Sequence, residues 1–136
     1  MKFAGQISLQ PTPSDVTRLN AWLDRTFVES RIEKSLAADL KLCLNEIVAN
    51  LISYGLKDRA GPFISIDINL QPGCAKATVR DNGAYFDIRE WPLPKDRDLM
   101  SGEPGGFGVA LIRERASRID YAREGEFNRL DIACEG

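Results

Sequence analysis

The chain has 136 residues, 43% hydrophobic and 28% charged, the size and balance of one ordinary globular domain over residues 1–136 and not of a disordered chain. Its 18 basic and 20 acidic side chains leave a formal charge of −2, so no positive surface for a nucleic-acid backbone is implied and direct nucleic-acid binding is not expected. Histidine is absent, which removes Ser-His-Asp and Cys-His nucleophile pairs and histidine metal sites, and leaves acid–base work to carboxylates, lysine, tyrosine or cysteine.

At the N-terminus, Met1-Lys2-Phe3-Ala4-Gly5-Gln6 carries a charge but not the apolar stretch of a secretory signal, and no apolar run is long enough to span a bilayer. A cytoplasmic protein without membrane contact is expected. Residues 3–9 alternate, Gln6 and Ser8 against Ile7 and Leu9, as an edge strand does. The run Pro11-Thr12-Pro13-Ser14 breaks it. Thr12 suits a helix cap, Pro13 the first helical position and Asp15 the positive helix end. Val16, Leu19, Leu23 and Phe27 then predict an amphipathic helix of about four turns.

A charged joint over 30–34 leads to a second helix, capped by Ser35, with Leu36, Leu40, Leu44, Ile47, Val48 and Leu51 as its apolar face. Asp39, Cys43, Glu46 and Asn50 run beside that face. Gly55 is expected to cap the helix at its C-terminus. After a turn over 58–62, residues 63–70 alternate as a half-buried strand, Pro72-Gly73 turns the chain, and residues 74–81 form its hairpin partner. A long Gly- and Pro-rich segment from Asn82 to Gly106 follows, of a length that usually carries function. Residues 107–116 predict a third helix, with Val109 or Ala110, Leu111 and Ile112 inward, and 119–122 with 127–134 a closing hairpin around Glu124-Gly125. Together these make an α+β two-layer sandwich: a mixed or antiparallel sheet of about five strands with about three helices on one face. Cys43, Cys74 and Cys134 have neither metal-ligand nor disulfide spacing and are expected as buried thiols.

Three segments can carry chemistry. Glu46 and Asn50, one helical turn apart, aim a carboxylate and a carboxamide into the same space at the margin of a buried stripe; they are either an exposed polar pair or a pair satisfied by metal, water or ligand. In Val79-Arg80-Asp81-Asn82-Gly83 a strand ends on an acceptor-only carboxylate that can receive an exocyclic amine, with a glycine that permits close approach or an unusual backbone angle. The same residues are also plain turn chemistry. Gly102 to Ile112 places glycines at the mouth of a helix, where free N–H groups favour phosphates. It is neither a P-loop, lacking Gly-Lys-Ser/Thr, nor a Rossmann fingerprint, since no strand precedes it.

Together, in order and spacing, these motifs resemble the ATP-binding domain shared by gyrase, Hsp90, sensor histidine kinases and MutL, and most of all its small stand-alone branch, the anti-sigma factor serine/threonine kinases. The family's Glu-x-x-x-Asn matches Glu46-Ile47-Val48-Ala49-Asn50, with Tyr54 following. Its Asp-x-Gly matches Asp81-Asn82-Gly83, running on to Phe86-Asp87 and Pro92 and Pro94. Its Gly-Gly-x-Gly motif matches Gly105-Gly106-Phe107-Gly108, followed by Val109-Ala110-Leu111-Ile112. The resemblance covers essentially the whole chain and implies the histidine-kinase-like ATPase fold. It implies ATP with Mg²⁺, Glu46 as general base, Asn50 as the Mg²⁺ ligand and Asp81, with Gly83, at the adenine amine. Gly105, Gly106, Phe107, Gly108 and Val109 would form the hinge and phosphate-facing edge of a lid. Two positions depart from the pattern: Tyr85 stands where a glycine is common, and Asp131 where the last strand often places a threonine near the adenine.

By that resemblance the chain is a serine/threonine protein kinase and anti-sigma regulatory factor. It would transfer the ATP γ-phosphate to a small STAS-type antagonist protein and sequester a sigma factor on a separate surface. The alternative is a non-catalytic ATP-gated binding module in a partner-switching pathway. A histidine-kinase fragment would need a helical histidine donor that this chain lacks. Homodimerisation is also implied, with residues 3–9 and the first helix as candidate surfaces.

Overall fold

The computed structural model of the chain describes residues 2–90 and 106–136. The expectations for 91–105, among them Pro92, Pro94 and Gly105, lie outside the described residues. The elements in chain order are β1 (Phe3–Leu9), α1 (Pro13–Ser30), α2 (Lys34–Asn50), a π-helical turn (Leu51–Gly55), β2 (Ile64–Gln71), β3 (Cys74–Asp81), α3 (Gly106–Arg115), β4 (Arg118–Glu124) and β5 (Phe127–Glu135). The strands form one sheet in the order β1-β2-β3-β5-β4, and every pairing is antiparallel. The open choice between a mixed and an antiparallel sheet therefore resolves to antiparallel among the described strands. The predicted two-layer α+β sandwich is the observed architecture.

Side-chain alternation sorts the two sheet faces. Ile64, Ile66, Ile68 and Leu70 of β2, Ala75, Ala77 and Val79 of β3, and Leu130 and Ile132 of β5 are all buried. They share one apolar cluster with Leu19, Leu23, Leu40, Leu44, Val48, Val109 and Ile112 from the helices. Helix α2 is the centre of the upper layer, packing on β3, β5, α1 and α3. Of the inward residues anticipated for α3, Val109 and Ile112 are fully buried, while Ala110 and Leu111 are half-buried. All three cysteines are buried free thiols.

The start of α1 follows its sequence signal: Pro13 opens the helix and the Thr12 side chain accepts from the Asp15 N–H. It runs 18 residues, about a turn longer than its apolar stripe implied. The cap of α2 is corrected. The helix begins at Lys34 with Glu33 at the cap position and no side-chain cap bond, so Ser35 lies inside the first turn. The Glu33 carboxylate instead accepts from the Gly73 N–H at 3.0 and 3.1 Å. The other end of α2 is also corrected. Its last turn widens so that the Leu56 N–H bonds the Leu51 carbonyl at 2.8 Å, and Gly55 is absent from the left-handed residues, Gly61, Gly73 and Gly125 among them. A π-helical turn ends the helix where a glycine cap was expected; such turns recur at functional sites.

Candidate functional site

The π-helical turn of α2 and the exit of β3 meet at Gly83. A Cβ built there would collide with the Gly55 carbonyl oxygen and lie 2.9 Å from Asp81 Oδ1. Since Gly83 is not left-handed, close approach and not backbone angle is what its lack of a side chain supplies. Gly55 and Asp81, on either side of this contact, line a largely apolar cleft with Ile47, Asn50, Leu51, Val79, Ile88, Leu130 and neighbouring residues. Asn50 and Asp81, which come from different elements, thus face one space.

Asp81 is only 6% exposed. Its Oδ1 accepts from the Gly83 N–H at 2.8 Å and the Asn128 amide at 3.0 Å. Burial pushes its carboxyl above the ordinary carboxylate range, opposed by those two hydrogen bonds and by the fields of Arg123 and Arg59. Among the described residues Oδ2 has no protein donor. Across the cleft the Asn50 amide nitrogen is buried with no hydrogen-bond partner among them. A buried carboxamide left unsatisfied has unused capacity for a ligand, since it can present either nitrogen or oxygen by turning over.

Glu46 lies one turn earlier on α2, outside the walls of the apolar cleft. A Cβ at Gly108 would come within 2.6 Å of its Oε2, so the carboxylate occupies the space that a side chain at the start of α3 would fill. Gly106, Phe107 and Gly108 form the first turn of α3, where backbone N–H groups are not used by the helix itself. Glu46, Asn50, Asp81, Gly83 and this turn are the expected residues that the fold brings together.

Other expectations fall differently. The Val109 side chain is fully buried in the core, leaving only its backbone for a ligand. Asp131 is not beside Asp81. Asp81 pairs in register with Asn128; Asp131, three residues on, points to the outer sheet face, where Thr78 and Arg129 bond it at 2.5 and 3.1 Å. Odd separation along a strand puts two side chains on opposite faces. Tyr85 is 57% exposed, stacked edge-on against Tyr121 with centroids 5.2 Å apart. It donates to Glu90 at 3.3 Å and is not among the cleft walls.

The residue that sequence reasoning missed is Asn128, 4% exposed. The signal was present: Asn128, Leu130, Ile132 and Cys134 alternate on the inward side of β5, so a polar residue heads an apolar row.

Mg²⁺ with a polyphosphate fits these residues on one observation, the unsatisfied Asn50 carboxamide. Among the described residues there is no group of three or more acidic or thiol ligands. Mg²⁺ commonly takes one or two protein oxygens and completes its shell with phosphates and water. Also among the described residues, no helix is long and apolar enough to cross a membrane.

Comparison with known proteins bears on the family and the fold. The profile described as "Histidine kinase-like ATPase domain" matches residues 9–134. A curated protein, "Serine/threonine-protein kinase BtrW" of Bordetella bronchiseptica, is 25% identical over 127 residues, covering 93% of this chain and 89% of that protein. Among solved structures, the RsbU and RsbW domains of Rv1364c from Mycobacterium tuberculosis superpose with a TM-score of 0.67 at 17% identity. That match covers 98% of this chain and 32% of the other, so the chain spans about a third of it; the likeness is one of fold.

Proposed function

The chain belongs to the histidine kinase-like ATPase domain family, and from that premise we propose that it is an ATP-dependent serine/threonine protein kinase and anti-sigma factor of that family's small stand-alone branch. Its substrate is a serine or threonine of a small STAS-type antagonist protein, and its second partner is a sigma factor. The observation that carries this reading is the placement of Glu46 against Gly108 at the mouth of α3, one turn from an Asn50 carboxamide that shares a cleft with Asp81.

The cleft binds adenine between apolar walls, with Asp81 Oδ2 accepting from the exocyclic amine. The first turn of α3 directs N–H groups and a positive helix end at the phosphates. Asn50 holds Mg²⁺, which offsets phosphate charge when bound. Glu46 takes the proton of the attacking hydroxyl as its oxygen bonds the γ-phosphorus and the bond to ADP breaks.

The test is radiolabelled transfer from ATP to proteins captured with the chain from its native cell, with wild type and Glu46→Gln in parallel. The substitution keeps size and packing. ATP binding by calorimetry should stay near normal while transfer drops by about 10²–10⁴. Full transfer by Glu46→Gln would remove Glu46 from the chemistry. No transfer by wild type to any captured partner would instead favour a non-catalytic ATP-gated module.

A further inference from the structure

The inward end of β5 carries a polar cluster that the kinase reading does not use. Asn128 is buried, and every hydrogen-bonding atom of its carboxamide is engaged. The amide nitrogen donates to Asp81 Oδ1 at 3.0 Å and to the Ala84 carbonyl at 2.8 Å, with the Gly83 carbonyl at 3.4 Å. The oxygen accepts from the Tyr121 hydroxyl and from Arg123 Nη1 at 3.1 Å. The orientation of the amide follows from chemistry: a guanidinium can only donate, and an ionised carboxylate and a carbonyl can only accept. Arg123 also donates to the Gly83 carbonyl at 2.7 Å, and the Tyr121 hydroxyl receives the Phe86 N–H at 3.4 Å. The network therefore ties β4 and β5 to both the Asp81 carboxylate and the backbone after it.

We propose that Asn128, itself oriented by Tyr121 and Arg123, is a positioning residue that consumes Asp81 Oδ1, leaves Oδ2 as a lone acceptor in the cleft, and so sets a preference for 6-amino over 6-oxo purines. This rests on the assignment of Asp81 to the base. With Oδ1 held by two donors the carboxylate cannot rotate freely, and it keeps the hydrogen bonds that favour its ionised form. An ionised carboxylate can accept from an exocyclic amine but finds no donor on a 6-oxo group; a protonated carboxyl can donate to that oxo group. Losing Asn128 leaves the Gly83 N–H as the one remaining donor among the described residues and makes protonation easier. The charged groups whose fields reach Asp81 are Arg123 of β4 and Arg59 of the turn after α2.

The experiment titrates the full chain with ATP and with inosine triphosphate, which replaces the 6-amino group by a 6-oxo group, between pH 5 and pH 8 by calorimetry. Wild type should prefer ATP. Asn128→Ala should weaken ATP by about tenfold, bring the two nucleotides close to equal affinity, and shift the acid loss of ATP binding to higher pH. Asn128→Asp, which removes the donor and adds a second carboxylate, should move that pH further. Tyr121→Phe should act in the same direction to a smaller extent; it changes one hydroxyl, so it decides the matter if circular dichroism shows the Asn128 variants unfolded. Variants with wild-type preference and an unmoved pH profile overturn the role of Asn128. If wild type itself does not prefer ATP, the assignment of Asp81 to the base fails, and the inference with it.

Discussion

At the scale of single residues, two aspartates six residues apart, Asp81 and Asp87, show how environment decides the state of a carboxyl group. Asp81 is raised by burial, so the folded protein holds that proton more tightly than the unfolded chain. Its contribution to stability is greatest below the unfolded carboxylate range and is lost as pH rises through its folded pKa. Nucleotide binding runs the other way, because the base amine needs the ionised form. ATP affinity should therefore decline on acidification at a higher pH than an ordinary carboxylate would give, and Asp81→Asn should bind ATP more weakly with that pH dependence gone. Calorimetry across the acid range checks both. Asp87 has the opposite sign. Its side chain is 2% exposed and paired with Arg89 at 2.8 Å, and the Arg89 side chain holds its carboxyl below the ordinary range. The stability it supplies is present at neutral pH and is lost as pH falls through its folded pKa. Arg89→Ala should destabilise the protein at neutral pH, because a buried carboxylate loses its charged partner. Denaturant unfolding at neutral pH and at pH 3 should show that difference shrinking in acid.

At the scale of elements, two glycines mark where the helices close on their neighbours, and they should fail differently. At Gly83 a new methyl group meets the Gly55 carbonyl, which is backbone and cannot step aside. Gly83→Ala should push the π-helical turn from β3, destabilise the protein by about 1–3 kcal/mol and weaken ATP. At Gly108 the obstacle is the far end of the Glu46 side chain, which can swing away. Gly108→Ala should leave unfolding within about 0.5 kcal/mol of wild type yet lower phosphoryl transfer by displacing the carboxylate. Paired unfolding and transfer measurements separate the two. The strands and most of the helices were legible because alternation and Leu spacing report burial directly, as in Ile64, Ile66 and Ile68 or Leu36, Leu40 and Leu44. The π-helical turn was not, because Leu51-Ile52-Ser53-Tyr54-Gly55 reads locally as an ordinary helix end. The turn's close approach to Gly83 is a contact from elsewhere in the chain that local reading does not supply.

At the scale of the whole molecule, the cleft lies at the joint between layers, with walls from α2, β3, β4 and β5, so occupancy should tighten the layers together. A ligand that binds only the folded state adds RT ln(1 + [L]/Kd), about 2.7 kcal/mol at a hundredfold excess over Kd. ATP with Mg²⁺ should therefore raise the unfolding midpoint of wild type in a concentration-dependent way, and Asp81→Asn should respond much less at the same concentrations; a thermal scan over a nucleotide series reads this. By itself the sequence determined the two-layer sandwich and the helix and strand boundaries to within a few residues, because periodicity needs only near neighbours along the chain; it singled out Glu46, Asn50, Asp81 and Gly83 by motif spacing and family resemblance. The partners of those residues were decided by tertiary structure. Whether Asp81 meets Asp131 or Asn128 depends on the register between β3 and β5, and a side chain one residue out of phase faces the opposite side of the sheet. Whether Glu46 meets Gly108 depends on how α3 returns across α2 after a long connection, a distance in space that spacing along the chain does not encode.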